Sequence, residues 1–412
     1  MRHALLLSAI LGFTTVLLSA QQPPGQSAGM SLPALENMHP SNRLLYFVMR
    51  RGGDWLTQSQ QTSGLFHPGL NVSINQPLET AHFYHQAVAA VALARLSRLT
   101  NHPRYHVAAQ QALLTLMSST RTDAQYPMQR YTYLPDATVN RLVSAGLLLR
   151  VVHELPVPVE VRVKEAEGLA QFIKVQQQAT GVLQSGTALQ QVAHDAQHDL
   201  LRYQVEGAAL EGLACSLNYS NASWKLELLQ KAVQAWNPGS IPLAATPAYI
   251  SAFAETFLRN KQQNAAVAVF NMADALCNAQ QPVEAGRVAW AGGFVLGVEK
   301  KKGTCPTASD SARSVSALCD AYRVARLAGD ARRASSYQAA VTQGVQYLAS
   351  LQYTGAGVEH FAENYQSRVL GGFRVTPQEG ILRLQDTAEC VLAISAYLSD
   401  VCGVSLAGGS NK

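Results

Sequence analysis

Charge is scarce in this chain. Asp, Glu, Lys and Arg together make up 14% of its 412 residues, and the formal net charge of +5 is spread without a basic block. A protein that binds nucleic acid through phosphate neutralisation needs such a block, so no nucleic-acid partner is expected. Aromatic residues are also few, at 7%. Six cysteines are present, Cys215, Cys277, Cys305, Cys319, Cys390 and Cys402, and their spacing does not resemble a zinc site. An even count permits up to three disulfides, while Cys215, Cys319 and Cys390 read equally well as small buried hydrophobes within helices. No stretch beyond the first twenty residues is apolar enough to cross a bilayer.

Alanine, leucine and helical periodicity are abundant. Apolar residues at three- and four-residue spacing mark about twelve helices and few strands. Six segments are apolar on most sides, at roughly 79–98, 136–154, 199–217, 247–259, 310–328 and 386–402. Six alternating ones, roughly 35–58, 104–118, 158–177, 222–236, 262–279 and 331–352, carry a polar face. The first set is expected to form an inner ring and the second an outer one, in one all-α (α/α)6 toroid over residues 35–403.

The N-terminus has the parts of an export signal: Arg2 and His3, an apolar run from Ala4 to Leu18, and Ser19-Ala20 before Gln21-Gln22-Pro23-Pro24. Residues 1–20 are thus expected to be a signal peptide, 21–34 a disordered leader and 404–412 a flexible tail. A secreted or periplasmic monomer follows.

A turn motif recurs after the outer helices: Gln60-x-x-x-Gly64-x-Phe66, Gln177-x-x-x-Gly181-x-Leu183 and, less cleanly, Gln352 followed by Gly355, Gly357 and Val358. One motif per helical hairpin marks a repeat architecture. These turns resemble the repeat motif of the α/α-toroid superfamily, which includes terpenoid cyclases and protein prenyltransferase subunits, and Gly371-Gly372-Phe373 looks like the last hairpin of such toroids. The resemblance implies the fold and no single activity. The acid cluster of squalene cyclases, Asp-x-Asp-Asp, has only Ser309-Asp310-Ser311 to match it. The prenyltransferase zinc site, an Asp-x-Cys pair with a distant His, has only Cys319-Asp320 in reversed order. The same double ring carries glycoside hydrolases, polysaccharide lyases and sugar epimerases.

Acids or hydroxyls precede the inner helices, at Glu79, Asp136, Asp199, Thr246, Asp310 and Asp386, where they are expected to cap backbone N–H groups. In a closed ring these helix starts converge on one end, so the same residues would rim a central cavity. His67, His82, His85, Tyr131, Tyr133, His194, His198, His360 and Tyr365 cluster at that end too.

This pattern suits acid/base chemistry on a sugar. The catalytic candidates are His82, His198, Asp199, Tyr133, Asp136 and Asp386, with Tyr133 as a proton donor. Arg202, Arg383, His85, His360 and Trp290 are candidates for holding a small-molecule or polysaccharide substrate. His82 and His85 lack a third ligand for a metal, and no cofactor signature is present. The competing readings are a toroid that binds a ligand or protein without catalysis and a divergent terpenoid-cyclase-like protein.

Overall fold

A computed structural model describes residues 35–404, apart from 37, 80–81, 136–138, 156–159, 185–195 and 298–302. The expected signal, leader and most of the tail lie outside the described residues. Outer helices are α1 (Pro40–Gln58), α3 (Pro103–Ser118), α5 (Glu160–Val175), α7 (Ser223–Ala235), α9 (Gln263–Cys277) and α11 (Ala331–Ser350). Inner helices are α2 (Phe83–Thr100), α4 (Arg141–Glu154), α6 (Ala196–Ser216), α8 (Thr246–Asn260), α10 (Ala308–Ala328) and α12 (Leu384–Ala396). Each inner helix packs on the next, and α12 returns to α2, so the ring of six closes. No described helix is long and apolar enough to cross a membrane.

Composition decides which ring a helix joins. Residues Ala87–Leu96 of α2 are buried on nearly every side, apart from Arg95, because the helix has neighbours all round. Gly146 and Gly212 let α4 and α6 approach until a β-carbon on Gly212 would stand 2.1 Å from the Gly146 carbonyl.

The glutamine motif is a structural staple. Gln60 Nε2 donates to the carbonyls of Gly64 (2.9 Å) and Ala108 (2.8 Å), and Gln177 Nε2 does the same to Gly181 (3.0 Å) and Leu228 (2.9 Å). Each side chain thus ties its turn to the next outer helix through two backbone carbonyls, one in its own turn and one in that helix. The glycine is required because its φ is positive, +85° at Gly64 and +93° at Gly181, and because a Cβ there would meet a neighbouring helix carbonyl.

Two corrections to the sequence reading follow. Gln352 pairs with Gly371-x-Phe373 rather than Gly355, Gly357 and Val358, donating to Gly371 O (3.0 Å) and to Val48 O of α1 (2.8 Å), which closes the ring. A fourth staple, Gln280 to Gly292 O (3.0 Å) and Ala340 O (2.8 Å), was not visible as a motif. In all four turns the N–H of the apolar residue is accepted by an inner-helix side chain: Gln86, Glu206, Ser311 and Thr387.

Long connections lie at one end of the ring and short ones at the other. Outer-to-inner loops, such as 59–82, 278–307 and 351–383, contrast with inner-to-outer turns at 101–102, 261–262 and 329–330. In the first long loop β1 (Gly69–Asn71) pairs antiparallel with β2 (Gln76–Pro77) and with β5 (Ile381–Arg383) of the last one. A second hairpin joins β3 (Thr120–Thr122) to β4 (Arg130–Thr132). All six cysteines are free thiols, so the permitted disulfides do not form and the staples and helix packing hold the ring.

Candidate functional site

The inner helices begin at the long-loop end and enclose a cavity of about 420 Å³, a size suited to a small organic ligand. Its mouth is lined by His82, Asn140, Leu201 and Gln385, and its walls by the first turns of the inner helices. Further in, Glu389 of α12 about one turn past Gln385, and Arg150 of α4 and Glu211 of α6 about three turns past Asn140 and Leu201, also line it.

The helix starts differ from the expected caps. Asn140 caps α4 by accepting from Leu142 and Val143 N–H, and Thr307 caps α10 by accepting from Asp310 N–H. Glu79 is exposed ahead of α2, whose N-cap is His82. Asp310 and Asp386 sit inside their first turns instead, where a carboxylate still faces the positive helix end. Asp310 is 2.8 Å from Arg313.

Burial raises the carboxyls of Glu206, Glu211, Asp320 and Asp386, and two of them reach about 7. Glu211 Oε2 is 3.1 Å from Arg150 Nη1, yet removal from water, assisted by the nearby charges of Glu389 and Asp320, outweighs that arginine and pushes the carboxyl up to about 7. Asp386 is buried with Oδ2 lacking a protein partner among the described residues, and burial pushes it up to about 7 against the pull of Arg383. Tyr84 Oη donates to Glu389 Oε1 at 3.0 Å, and burial holds the phenol well above its ordinary range, so it stays a donor.

The residues singled out from sequence fall in different places. His82 lines the mouth, edge-to-face with His85 at 5.5 Å between ring centroids, and burial, with His82 and Arg383 nearby, lowers His85. Arg383 is exposed at the start of α12, close enough to bias both His85 and Asp386. Arg202 lies over the Tyr203 ring at 4.5 Å and does not line the cavity. Tyr133 is half exposed beyond β4, His360 stacks on Phe361 in the last loop, and Trp290 is buried under Arg287. None of these three lines the cavity. Asp136 and His194 lie outside the described residues. His198 and Asp199 fall in the first turn of α6, and their side chains lie outside the described residues too.

Sequence reasoning passed over Glu211, Glu389, Arg150 and Tyr84. The signal was a charged residue inside an apolar inner helix, as in Leu149-Arg150-Val151, Leu210-Glu211-Gly212 and Glu389-Cys390-Val391. A charge there must find a partner or a cavity.

No family model matches the chain, and no curated protein matches it. Solved structures do. An unsaturated glucuronyl hydrolase specific for heparin aligns at TM-score 0.59 and 12% identity, covering 87% of this chain and 98% of the other. Cellobiose 2-epimerase from Bacillus thermoamylovorans B4167 aligns at 0.60 and 11%, covering 85% and 99%. The α-1,6-mannanase of Salegentibacter sp. HEL1_6 aligns at 0.57 and 12%, covering 85% and 98%. At these identities the likeness establishes the α/α toroid.

Proposed function

We propose that this protein is a carbohydrate-processing enzyme of the hydrolase type, acting in the central cavity with Glu211 as general acid and Glu389 as its partner base. The observation that carries the reading is a pair of carboxyls on facing inner helices in one enclosed cavity, one of them raised to about 7. Glycoside hydrolysis needs one carboxyl that keeps its proton near neutral pH and a second that activates water or attacks the sugar. Tyr84, hydrogen-bonded to Glu389, orients that second carboxyl. Arg150 and Arg313 line the same space, Arg150 paired with Glu211 and Arg313 with Asp310. His82 at the mouth contacts substrate, and His198, Asp199 and Asp136 remain candidates for the rim.

Toroids of known structure that resemble the chain include a glucuronyl hydrolase, an epimerase and a mannanase, which supports a sugar as substrate. The lining supports it against a terpenoid-cyclase-like role, since among the described lining residues only Phe83 and Tyr84 carry benzene rings, and two arginines and two glutamates share the cavity. The signal-like N-terminal sequence supports a location outside the cytoplasm, which N-terminal sequencing of the exported protein tests.

The test is a glycoside panel assayed for released reducing sugar and for unsaturated product. Reducing ends that vanish in Glu211→Gln and Glu389→Gln, with both variants folded, support hydrolysis. Unsaturated product would replace it with a lyase reading, and silence across the panel would favour a binding toroid.

A further inference from the structure

The two halves of the cavity differ in chemistry. Around the ring, α10, α12 and α2 are consecutive, and they contribute Arg313, Ser316, Gln385, Glu389 and Tyr84. The facing helices α4, α6 and α8 contribute Val143, Leu147, Val205, Ala208, Pro247 and Ala248. Among the described residues of this second half, polar side chains stand only at the mouth (Asn140, Gln204) and deeper in (Arg150, Glu211, Ser251). At the rim Leu201 is 45% exposed, so the apolar wall continues out of the mouth.

The polar half has unused hydrogen-bonding capacity. Ser316 Oγ and Arg313 Nε are shielded from bulk water and have no protein hydrogen-bond partner among the described residues. Groups left so are costly unless a ligand completes them. The opposite wall presents aliphatic carbon without an aromatic platform. A pyranose ring stacks best on an aromatic face, whereas alkyl groups fill a Val, Leu and Ala surface.

We propose that the substrate is an amphipathic glycoside: a sugar whose hydroxyls meet Tyr84, Arg313, Ser316 and Glu389, joined to an apolar alcohol that lies along Leu147, Val205 and Ala208. This inference rests on the hydrolase reading, because the acid's position selects the leaving group. Glu211 belongs to the aliphatic half, so the oxygen it protonates is the one bearing the group on that side. The C1–O bond breaks, and the alcohol departs with the Glu211 proton. Water adds to C1 and gives its other proton to Glu389, and solvent exchange restores both carboxyls. A leaving group that was itself another sugar would set its hydroxyls against valine and leucine, leaving them unsatisfied.

The experiment compares n-octyl and methyl glycosides of the same glycones (glucoside, galactoside, mannoside and glucuronide, both anomers) with the full-length protein. Turnover is read as released sugar, and binding is read calorimetrically on Glu211→Gln below micelle-forming concentration. Burial gains roughly fourfold in affinity per methylene, so an octyl preference of at least tenfold in kcat/KM, and in affinity, is expected. Val205→Thr, which keeps the shape of the side chain and adds a hydroxyl, should shrink that preference by lowering kcat/KM and affinity more for the octyl than for the methyl glycoside. Equal use of octyl and methyl forms, or preference for an oligosaccharide leaving group, would overturn the inference and spare the hydrolase reading. Octyl-selective binding that weakens in Val205→Thr, without turnover of any glycoside, would uphold the amphipathic site and defeat the hydrolase reading. Absence of both binding and turnover from folded protein would overturn the inference.

Discussion

Two buried glutamates one helix apart have opposite fates. Glu154, at the C-terminal end of α4, is clamped by Arg95 Nε at 3.1 Å and Arg98 Nη2 at 2.6 Å, and these cations hold its carboxyl below the ordinary value despite burial. Glu211 faces the cavity with Arg150 alone, and burial raises it to about 7. Glu154 thus spends its charge on two arginines, whereas Glu211, five residues before the end of α6, keeps a carboxyl raised toward neutrality. Buried charge in this protein is therefore structural or chemical according to how many counter-charges it has been given.

Breaking the structural side should have the largest effect. Glu154→Gln leaves two arginines facing a neutral amide, and a loss of about 3–5 kcal/mol in unfolding free energy is expected by urea titration. The same substitution at Glu211 should leave stability nearly unchanged at neutral pH and lower kcat roughly 10²–10⁴-fold on any glycoside the protein turns over.

The pH dependence should sharpen the contrast. For Glu211 the folded pKa lies above the unfolded value of 4.5, so its contribution to stability is fully present below 4.5 and is lost as pH rises through about 7. For Glu154 the folded value is depressed, so its contribution is present above 4.5 and is lost as pH falls through the folded value. Melting curves across pH for wild type minus Glu211→Gln and wild type minus Glu154→Gln should slope in opposite directions.

Smaller effects are expected from the staples, which all lie where outer helices enter the long loops. Gln177→Ala removes two hydrogen bonds, to Gly181 O and Leu228 O, and should cost about 1–3 kcal/mol, with kcat unaffected. Calorimetry and a turnover assay on one preparation check it.

The ring itself was legible from sequence. Alternation between uniformly apolar and amphipathic segments placed all twelve helices within a few residues, because burial on all sides and burial on one side demand different compositions. Two of the four staples were legible because Gln60 and Gln177 stand four residues from their glycines. Gln280 and Gln352 reach Gly292 and Gly371 across long excursions, and loop length is nearly free once the ends are held, so no fixed spacing survives.

The site was less legible. Attention to helix starts led to the long-loop end of the ring, where His82 lines the cavity, but a helix start only marks the mouth. Glu211 and Glu389 lie deeper, where each looks in sequence like an isolated charge among alanines and leucines. Only the closure of the ring brings them to one cavity. The disulfides failed for the same reason: cysteine count says nothing of distance, which helix packing sets.

The most direct test is a carboxyl titration by carbon-13 NMR on protein labelled at glutamate, with the Glu211 and Glu154 signals assigned through their glutamine variants. Glu211 should titrate near 7 and Glu154 below 4.5. Finding both below 4.5 would mean that Glu211 is a second structural ion pair, and the cavity would lose its acid.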